Sequence, residues 1–543
     1  MSSISRLVVP RLVLGLALVL AVLGSCGGRD QTSAQMAKRA QPAVRLVALT
    51  DVSGYLEPCG CQSKLLGGID RAAAKLQALR AERIPVVFVA AGDLLFGDKP
   101  EGATADTDAT AQETWKAETL VEVFNRLGLA AATPGKRDLS FGASTLSRLQ
   151  ERSQFSWLPA KPASNEAPEG VAGKLVKAGE HSIGVLGVST FGGPDGEVGS
   201  ERMTKLQAAA QVELDKLRAG GARVVVGLIS SDQRTGRRLT SGLRGLDFAI
   251  QAGLDDGSAP APSRSGGSTL LRAGRQGQGL LVLDVYLDGA APFADISEWT
   301  RAEHKAALGA RIADLSARIA AWERDPSVDR ANVAEQREKL KALREELARA
   351  GAERGATGNA FDARYAPLTA KEARDPQVKD ILAAHDARVN EHNRVAFAAV
   401  RPKQPPPGAA GYVGSERCQS CHAPAYAWWT QHAHGRAYTT LEQLHKQFNL
   451  SCVSCHVTGY NRPGGATVVN NQGLTHVGCE SCHGPGSLHA AQPALASARL
   501  TSAPGEAVCK QCHTPEHSDL FEFQSYVARI RVKGHGLPVA ATN

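Results

Sequence analysis

Four short stretches near the C-terminal end share one pattern: CQSCH (418–422), CVSCH (452–456), CESCH (479–483) and CKQCH (509–513). Two thiols three positions apart match the spacing of the vinyl groups on one edge of haem. The following His is then held beneath the iron as its proximal ligand. Zinc and thiol-redox sites also use C-x-x-C, but four copies between residues 418 and 513, each with His in fifth place, point to covalent haem c. The pattern assigns Cys418 and Cys421, Cys452 and Cys455, Cys479 and Cys482, and Cys509 and Cys512 to thioether attachment. It assigns His422, His456, His483 and His513 to proximal ligation. Four haem c groups are the expected cofactors.

Eleven of the fifteen histidines lie at or beyond residue 422. Apart from the proximal four, His432, His434, His445, His476, His489, His517 and His535 are available as sixth ligands. Region 412–543 resembles the tetrahaem cytochrome c family typified by the electron carrier of ammonia oxidation. The stretches YVGSERCQSCH, WWTQHAHGRAYTTL, CVSCHVTGY, GCESCHGPGSLH and CHTPEHSDLFEFQSYVARIRVKGH carry the likeness. The resemblance implies three distal ligands: a His after the Trp segment, a His after the Gly-Pro-Gly turn and a His near the C-terminus. Here these are His434, His489 and His535, with His432 as an alternative to His434. The tail RIRVKGH departs from the family by extra residues before its His. Three distal histidines for four irons imply one five-coordinate haem, unless His445, His476 or His517 fills the place. A bis-His iron is a low-spin relay, whereas an open position permits ligand binding. Residues 412–543 have few apolar runs, so the macrocycles themselves are expected to form the core, with short helices and loops around them.

The positioning elements upstream are of another kind. Residues 43–300 alternate apolar strand patterns (44–50, 85–91, 183–189, 223–229, 246–250, 280–287) with helical ones (70–82, 116–128), which predicts α/β layering with buried strands. The order of motifs resembles the calcineurin-like metallophosphoesterases, in particular their 5′-nucleotidase branch. TDVSGY keeps Asp51 but has Ser53 where the family has His. AAGDLLFGD keeps Asp93. PGKRDLSFG has Lys136 for the Asn ligand and Arg137 for the catalytic His. Later ligand positions fall on Ser231, Gly253 and Asp255. Two metal ions need a bridging carboxylate and several neutral ligands, and residues 27–300 hold one His, His181. No di-metal centre is expected, and Lys136 is expected to pair with the carboxylates. Cys59 and Cys61, with Asp51 and Asp93, form a candidate thiol or metal site. The alternative for the two thiols is a strained local disulfide.

Composition and targeting frame these sites. Aromatic residues are 5% of the 543 and the net charge is +8. No basic block interleaved with aromatics occurs, so nucleic acid is not an expected partner. Arg6 and Arg11 precede the apolar run 12–24, and LGSC (23–26) resembles the bacterial lipoprotein cleavage box with Cys26 lipid-bearing. Residues 1–25 are then a signal peptide and 26–42 a tether, and Gly27 favours the outer membrane, facing the periplasm or the cell surface. Residues 301–400 are expected to be a helical connector: Leu308, Ile312, Leu315, Ile319 and Trp322 continue in Leu340, Leu343 and Leu347 as an antiparallel hairpin. Residues 401–411 are a Pro-rich linker to the cytochrome domain, 412–543. The fold expected is multidomain: an α/β metallophosphoesterase-like sandwich, a helical hairpin connector and a mostly α or irregular multihaem domain. The function expected is lipid-anchored electron transfer between redox partner proteins. The rivals are a multihaem oxidoreductase acting on a small nitrogen or sulfur compound and, more weakly, an active phosphoesterase.

Overall fold

All seven residues of VRLVALT are buried, the pattern of a strand covered on both faces. This is β1 (Val44–Thr50). It pairs in parallel with β2 (Val86–Gly92), which pairs with β3 (Ala131–Pro134) and then the short β4 (Ser156–Trp157). Helices α1 (Ile69–Ala81), α2 (Asp108–Arg126) and α3 (Ala143–Glu151) make the crossovers. The chain next builds a second sheet from β5 (Glu169–Ala178), β6 (His181–Thr190), β7 (Val224–Ser230), β8 (Phe248–Ala252), β9 (Ser263–Ser265) and β10 (Ser268–Leu271), with α4 (Ser200–Ala219) and α5 (Gln233–Ser241). It returns to the first sheet with β11 (Gly279–Tyr286), β12 (Ala294–Asp295) and β13 (Ala360–Pro367). The orders are β12-β13-β11-β1-β2-β3-β4 and β5-β6-β7-β8-β10-β9. The computed structural model describes residues 41–58, 65–98, 107–159, 169–190, 198–253, 261–289, 292–324, 329–349, 358–495, 500–514, 517–518 and 520–537. The expected signal peptide, Cys26, most of the tether, Cys59, Cys61 and Asp255 lie outside the described residues.

The period-two pattern of each strand sorts side chains between layers. Leu46, Ala48, Val87 and Val89 face Val185, Val226, Leu228 and Phe248 across the two sheets. Val47, Leu49 and Phe88 point the other way, onto Leu76 of α1 and Leu120 and Phe124 of α2. On the far side, Leu206, Ala210 and Leu214 of α4 cover Val225 and Ile229. The result is an α/β sandwich of two sheets with helices outside, as the alternation of strand and helix patterns implied.

The expected connector needs one correction. The hairpin is present as α6 (Glu298–Arg324) and α7 (Arg330–Arg349), with Ile319, Val333 and Leu340 buried in its seam and His304 paired with Glu346. Part of its turn, 325–328, is outside the described residues. Yet 360–367 is not helical. It is β13, antiparallel to β11 over eight residue pairs. Phe361 and Ala363 face the inter-sheet core, while Asp362 and Arg364 face outward, where Arg364 joins Arg45 on the buried carboxylate of Asp284. That alternation is masked in sequence by alanine. The hairpin is therefore an insertion between two strands of the sandwich. Helix α8 (Pro376–Ala396) follows, capped by Asp375 and packed on α1 and α2. Residues 401–411 have no regular structure and are tied to the C-terminal region: the Lys403 carbonyl accepts from Gly464, and Gly411 exchanges hydrogen bonds with Ser487. Among the described residues no helix is long and apolar enough to cross a membrane.

Candidate functional site

Short helical turns present the C-x-x-C-H motifs. Leu450–His456 holds the second and Cys479–His483 the third. A spacing of three residues puts both thiols of a motif on one face. No two of the eight thiols are joined in a disulfide. Cys418 of the first motif lies in hydrogen-bond contact with Cys479 of the third, Cys455 of the second with Cys512 of the fourth, and Cys482 of the third interacts with Cys509 of the fourth. The motifs thus neighbour one another in the order first, third, fourth, second.

The histidines fall into pairs. Ring centres of His422 and His489 are 6.4 Å apart, those of His434 and His513 6.2 Å, and those of His483 and His535 6.2 Å. An iron ligated from both sides, with each Fe–N bond about 2 Å and each nitrogen about 1 Å from its ring centre, sets the centres about 6 Å apart. Each pair joins a motif histidine to one outside the motifs. Among the described residues no ring is paired with His456 at this spacing.

Hydrogen bonds orient these rings as ligands require. Nδ1 of His456 donates to the Ala437 carbonyl at 2.6 Å, that of His483 to Thr501 at 2.5 Å and that of His535 to Ile530 at 2.8 Å, which leaves Nε2 of each with its lone pair. Nδ1 of His489 is buried without a hydrogen-bond partner, an orphan that a metal bond would satisfy. Burial, with His432 and His513 adding to it, lowers the His434 pKa to about 4 and so keeps the ring neutral. By contrast, Nδ1 of His432 accepts from the His434 N–H, and Nδ1 of His476 accepts from Tyr438. Their Nε2 atoms then carry the proton and offer no lone pair. His434 thus faces a motif histidine, whereas His432 is turned to the His434 backbone.

The region has little hydrocarbon core of its own. Its buried apolar cluster consists of Tyr438, Leu441, Val453, Val457, Ala466 and Val468. That fits a fold organised by large apolar cofactors. Glu480, inside the third motif, is a keystone the sequence did not flag. Its buried carboxylate accepts from the backbone of Val413, Gly414 and Gly486, tying together the approach to the first motif, the third motif and the Gly-Pro-Gly turn.

A second site lies where β1, β2, β3, β7 and β8 end. Asp51, in the left-handed region at φ 47°, accepts from the N–H groups of Asp93 (3.2 Å) and Gly253 (2.9 Å). Burial first, and the charge of Asp93 second, raise its pKa to about 8. Asp138, fully buried, accepts from Gly135, Leu94 and Leu95, and burial raises it to about 7. Asp93 is paired with Arg137, whose Nη1 is 3.0 Å from Oδ2 and whose backbone N–H is 2.7 Å from Oδ1. The same guanidinium reaches Asp98. Burial alone would lower the Arg137 pKa, but these hydrogen bonds and charges raise it. The expectation for Lys136 is corrected: it is exposed, and Arg137 takes the carboxylate. Gly135 allows the turn to pass close to Asp93, since a Cβ at 135 would lie 2.2 Å from Oδ1. Ser53 and Ser231 hydroxyls bond to backbone carbonyls. Among the described residues no group of three or more His, Cys, Asp or Glu has metal-binding geometry.

The two sites are joined through α2 and α8. Gln112 of α2 contacts Asn449 and accepts from Leu450; Asn449 itself caps the helix of the second motif. Asn390 and Asn393 of α8 hold Phe448. Lys446 is largely buried between Glu57, which it binds closely, and Asp386 at 3.3 Å; Arg374 ties Glu57 to Asp70 of α1.

Residues 417–484 match the family described as cytochrome c554 and c-prime. Cytochrome c-554 of Nitrosomonas europaea is 36% identical over 93 residues, which cover 14% of this chain and 40% of that cytochrome's length. Among solved structures, the chain is similar to a 5′-nucleotidase precursor from Thermus thermophilus (TM-score 0.39, 15% identity, 72% of this chain and 67% of that one). It is likewise similar to the sulfate thiohydrolase SoxB of Thermus thermophilus (0.40, 14%, 65% and 62%) and to the calcineurin-like phosphoesterase YfkN of Bacillus subtilis (0.39, 13%, 65% and 99%).

Proposed function

We propose that this multidomain chain, whose C-terminal part is a cytochrome c domain with haem c as its cofactor, is an exported, lipid-anchored electron-transfer protein carrying four haems. The observation behind this reading is the set of three imidazole pairs 6.2–6.4 Å apart. Each C-x-x-C-H motif tethers one haem through its two cysteines. His422 with His489, His513 with His434, and His483 with His535 would hold three of the irons, and His456 would hold the fourth. Bound haem c supplies one-electron chemistry at iron. The chain's own residues hold the ligand tautomers, through the carbonyls of Ala437, Thr501 and Ile530. They also keep neighbouring motifs in contact, through the Glu480 carboxylate. The α/β domain is a docking scaffold that has lost its di-metal centre, with Arg137 neutralising the carboxylate that a metal ion would otherwise need. Cys26 carries the lipid at the outer membrane. Redox proteins are the partners.

His456, without a facing imidazole among the described residues, supports a second reading: an oxidoreductase acting on a small nitrogen or sulfur compound at that iron. Spectra of the holoprotein test both. Electron paramagnetic resonance of the oxidised protein is expected to show three low-spin irons and one high-spin. The reduced protein is expected to bind one carbon monoxide per chain. Four low-spin irons, or a chain without four added haem masses, would overturn the assignment. Steady consumption of such a compound, blocked by carbon monoxide, would favour the enzyme over the carrier.

A further inference from the structure

Trp428 lies on the helix Ala423–Gln431, directly after the first motif, and coordinates nothing in the reading above. Its indole stacks on His535, with centres 4.7 Å apart and planes 8° from parallel, and on His432, at 4.5 Å and 27°. His432 in turn sets its ring edge-on to His434 at 4.9 Å and accepts the His434 backbone N–H. Four rings thus form a ladder: His535, Trp428, His432, His434. Its two ends are the imidazoles that face His483 and His513, so one indole bears on the distal side of both the third and the fourth motifs.

The tail is seated at the same place. Gly534 has φ +88°, and a Cβ there would lie 2.9 Å from Cβ of Pro424, on the same helix as Trp428. The residues before His535 that lengthen the tail therefore form a tight turn against this helix. Stacking restricts an imidazole to rotation in its own plane, and the Ile530 carbonyl fixes that remaining freedom.

We propose that Trp428 is a positioning residue for both distal imidazoles: it holds His535 opposite His483 by direct stacking and His434 opposite His513 through His432. The proposal rests on the ligand pairs of the preceding section. Without the indole the tail loses its seat, and His535 leaves its iron before His434 does, because His434 is still held from its own turn.

The test uses holoprotein purified with its four haems, checked by mass. Carbon monoxide bound per reduced chain is counted, and the high-spin fraction of the oxidised chain is read by magnetic resonance. His535→Ala is the reference and should raise the bound gas from one to two per chain. Trp428→Leu, which keeps bulk but no ring, should approach the same doubling, whereas Trp428→Phe should remain at one. Gly534→Ala disturbs the seat from the opposite side without touching the indole, and should also raise the fraction. If Trp428→Leu and Gly534→Ala both bind one gas molecule with an unchanged high-spin fraction, the proposal is overturned. If wild-type protein already departs from one, or His535→Ala changes nothing, it is the ligand assignment that fails instead.

Discussion

Asp51 and Arg137 show how burial and pairing set the chemistry of a small cluster of acids. The Asp51 carboxyl is buried beside a second acid, and the neighbouring cation is committed to Asp93 and Asp98. In the unfolded chain the Asp51 carboxyl titrates near 3.8; in the folded chain it does so at about 8. The folded state thus binds the extra proton between these values. The stabilisation it provides is complete below about 4 and is lost as pH rises through about 8. Asp138 acts with the same sign. Asp51→Asn, neutral throughout and still able to accept from Gly253, removes one such group. Its melting temperature relative to wild type is expected to climb between pH 4 and pH 8 and to level off above, measured by calorimetry. A difference independent of pH would mean that Asp51 is ionised in the folded chain. At this scale the sequence exposed the retained Asp51 and Asp93 and the cation pair, but not which cation turns inward. Arg137 opens the short turn Arg137–Leu139 and binds Asp93 through both its backbone N–H and its guanidinium, a geometry that the residue types alone do not reveal. Glu480 was hidden for a similar reason: a lone acid within a haem motif reads as surface until three backbone donors are found around it.

At the scale of elements, α8 is the joint between the two halves. It packs on α1 and α2 through one face and holds the segment leading into the second motif through Asn390 and Asn393. Beside it, Lys446 is enclosed by Glu57 and Asp386. Breaking a buried ion pair by removing one partner costs about 3–5 kcal/mol, because the remaining charges are left without compensation. Lys446→Ala is expected to lower the unfolding free energy of the holoprotein, read from urea titration, by an amount near the bottom of that range, since Arg374 still neutralises Glu57. It should also expose 397–411 to protease before any other part of the chain. An unchanged midpoint would show that the amide contacts of Gln112, Asn390 and Asn393 suffice. The helix lies within 301–400, where a helical connector was expected. Strand β13 was not legible: alanines at three of its eight positions weaken the contrast between its buried and exposed faces, and a long helical insertion separates it from the strands it joins.

For the whole molecule, the two halves are stabilised by different means. The sandwich buries three extended apolar clusters, whereas the cytochrome region buries one small one. Chain produced without haem attachment is expected to keep a protease-resistant core from about residue 43 to 396 while 412–537 is digested, as for other folds whose cofactor supplies the folding free energy. Survival of the C-terminal part in haem-free chain would show that hydrocarbon burial suffices there. This division explains what the sequence disclosed. Spaced cysteines are covalent instructions and can be read directly, and strand periodicity is nearly as plain. The pairing of histidines far apart in the chain, His422 with His489 and His483 with His535, depends on loops whose course no local pattern encodes.

The α6–α7 hairpin leaves the sheet just after β12 and comes back in β13, the strand beside it. Its two roots are therefore neighbours, and its own seam is closed by Ile319, Val333 and Leu340. Its root belongs to the sandwich, where Trp299 packs on the inter-sheet core beside Tyr365, so a fluorophore or affinity handle is best placed toward the other end of the hairpin. It offers experimenters a place to attach this protein to an electrode or a surface in a known orientation.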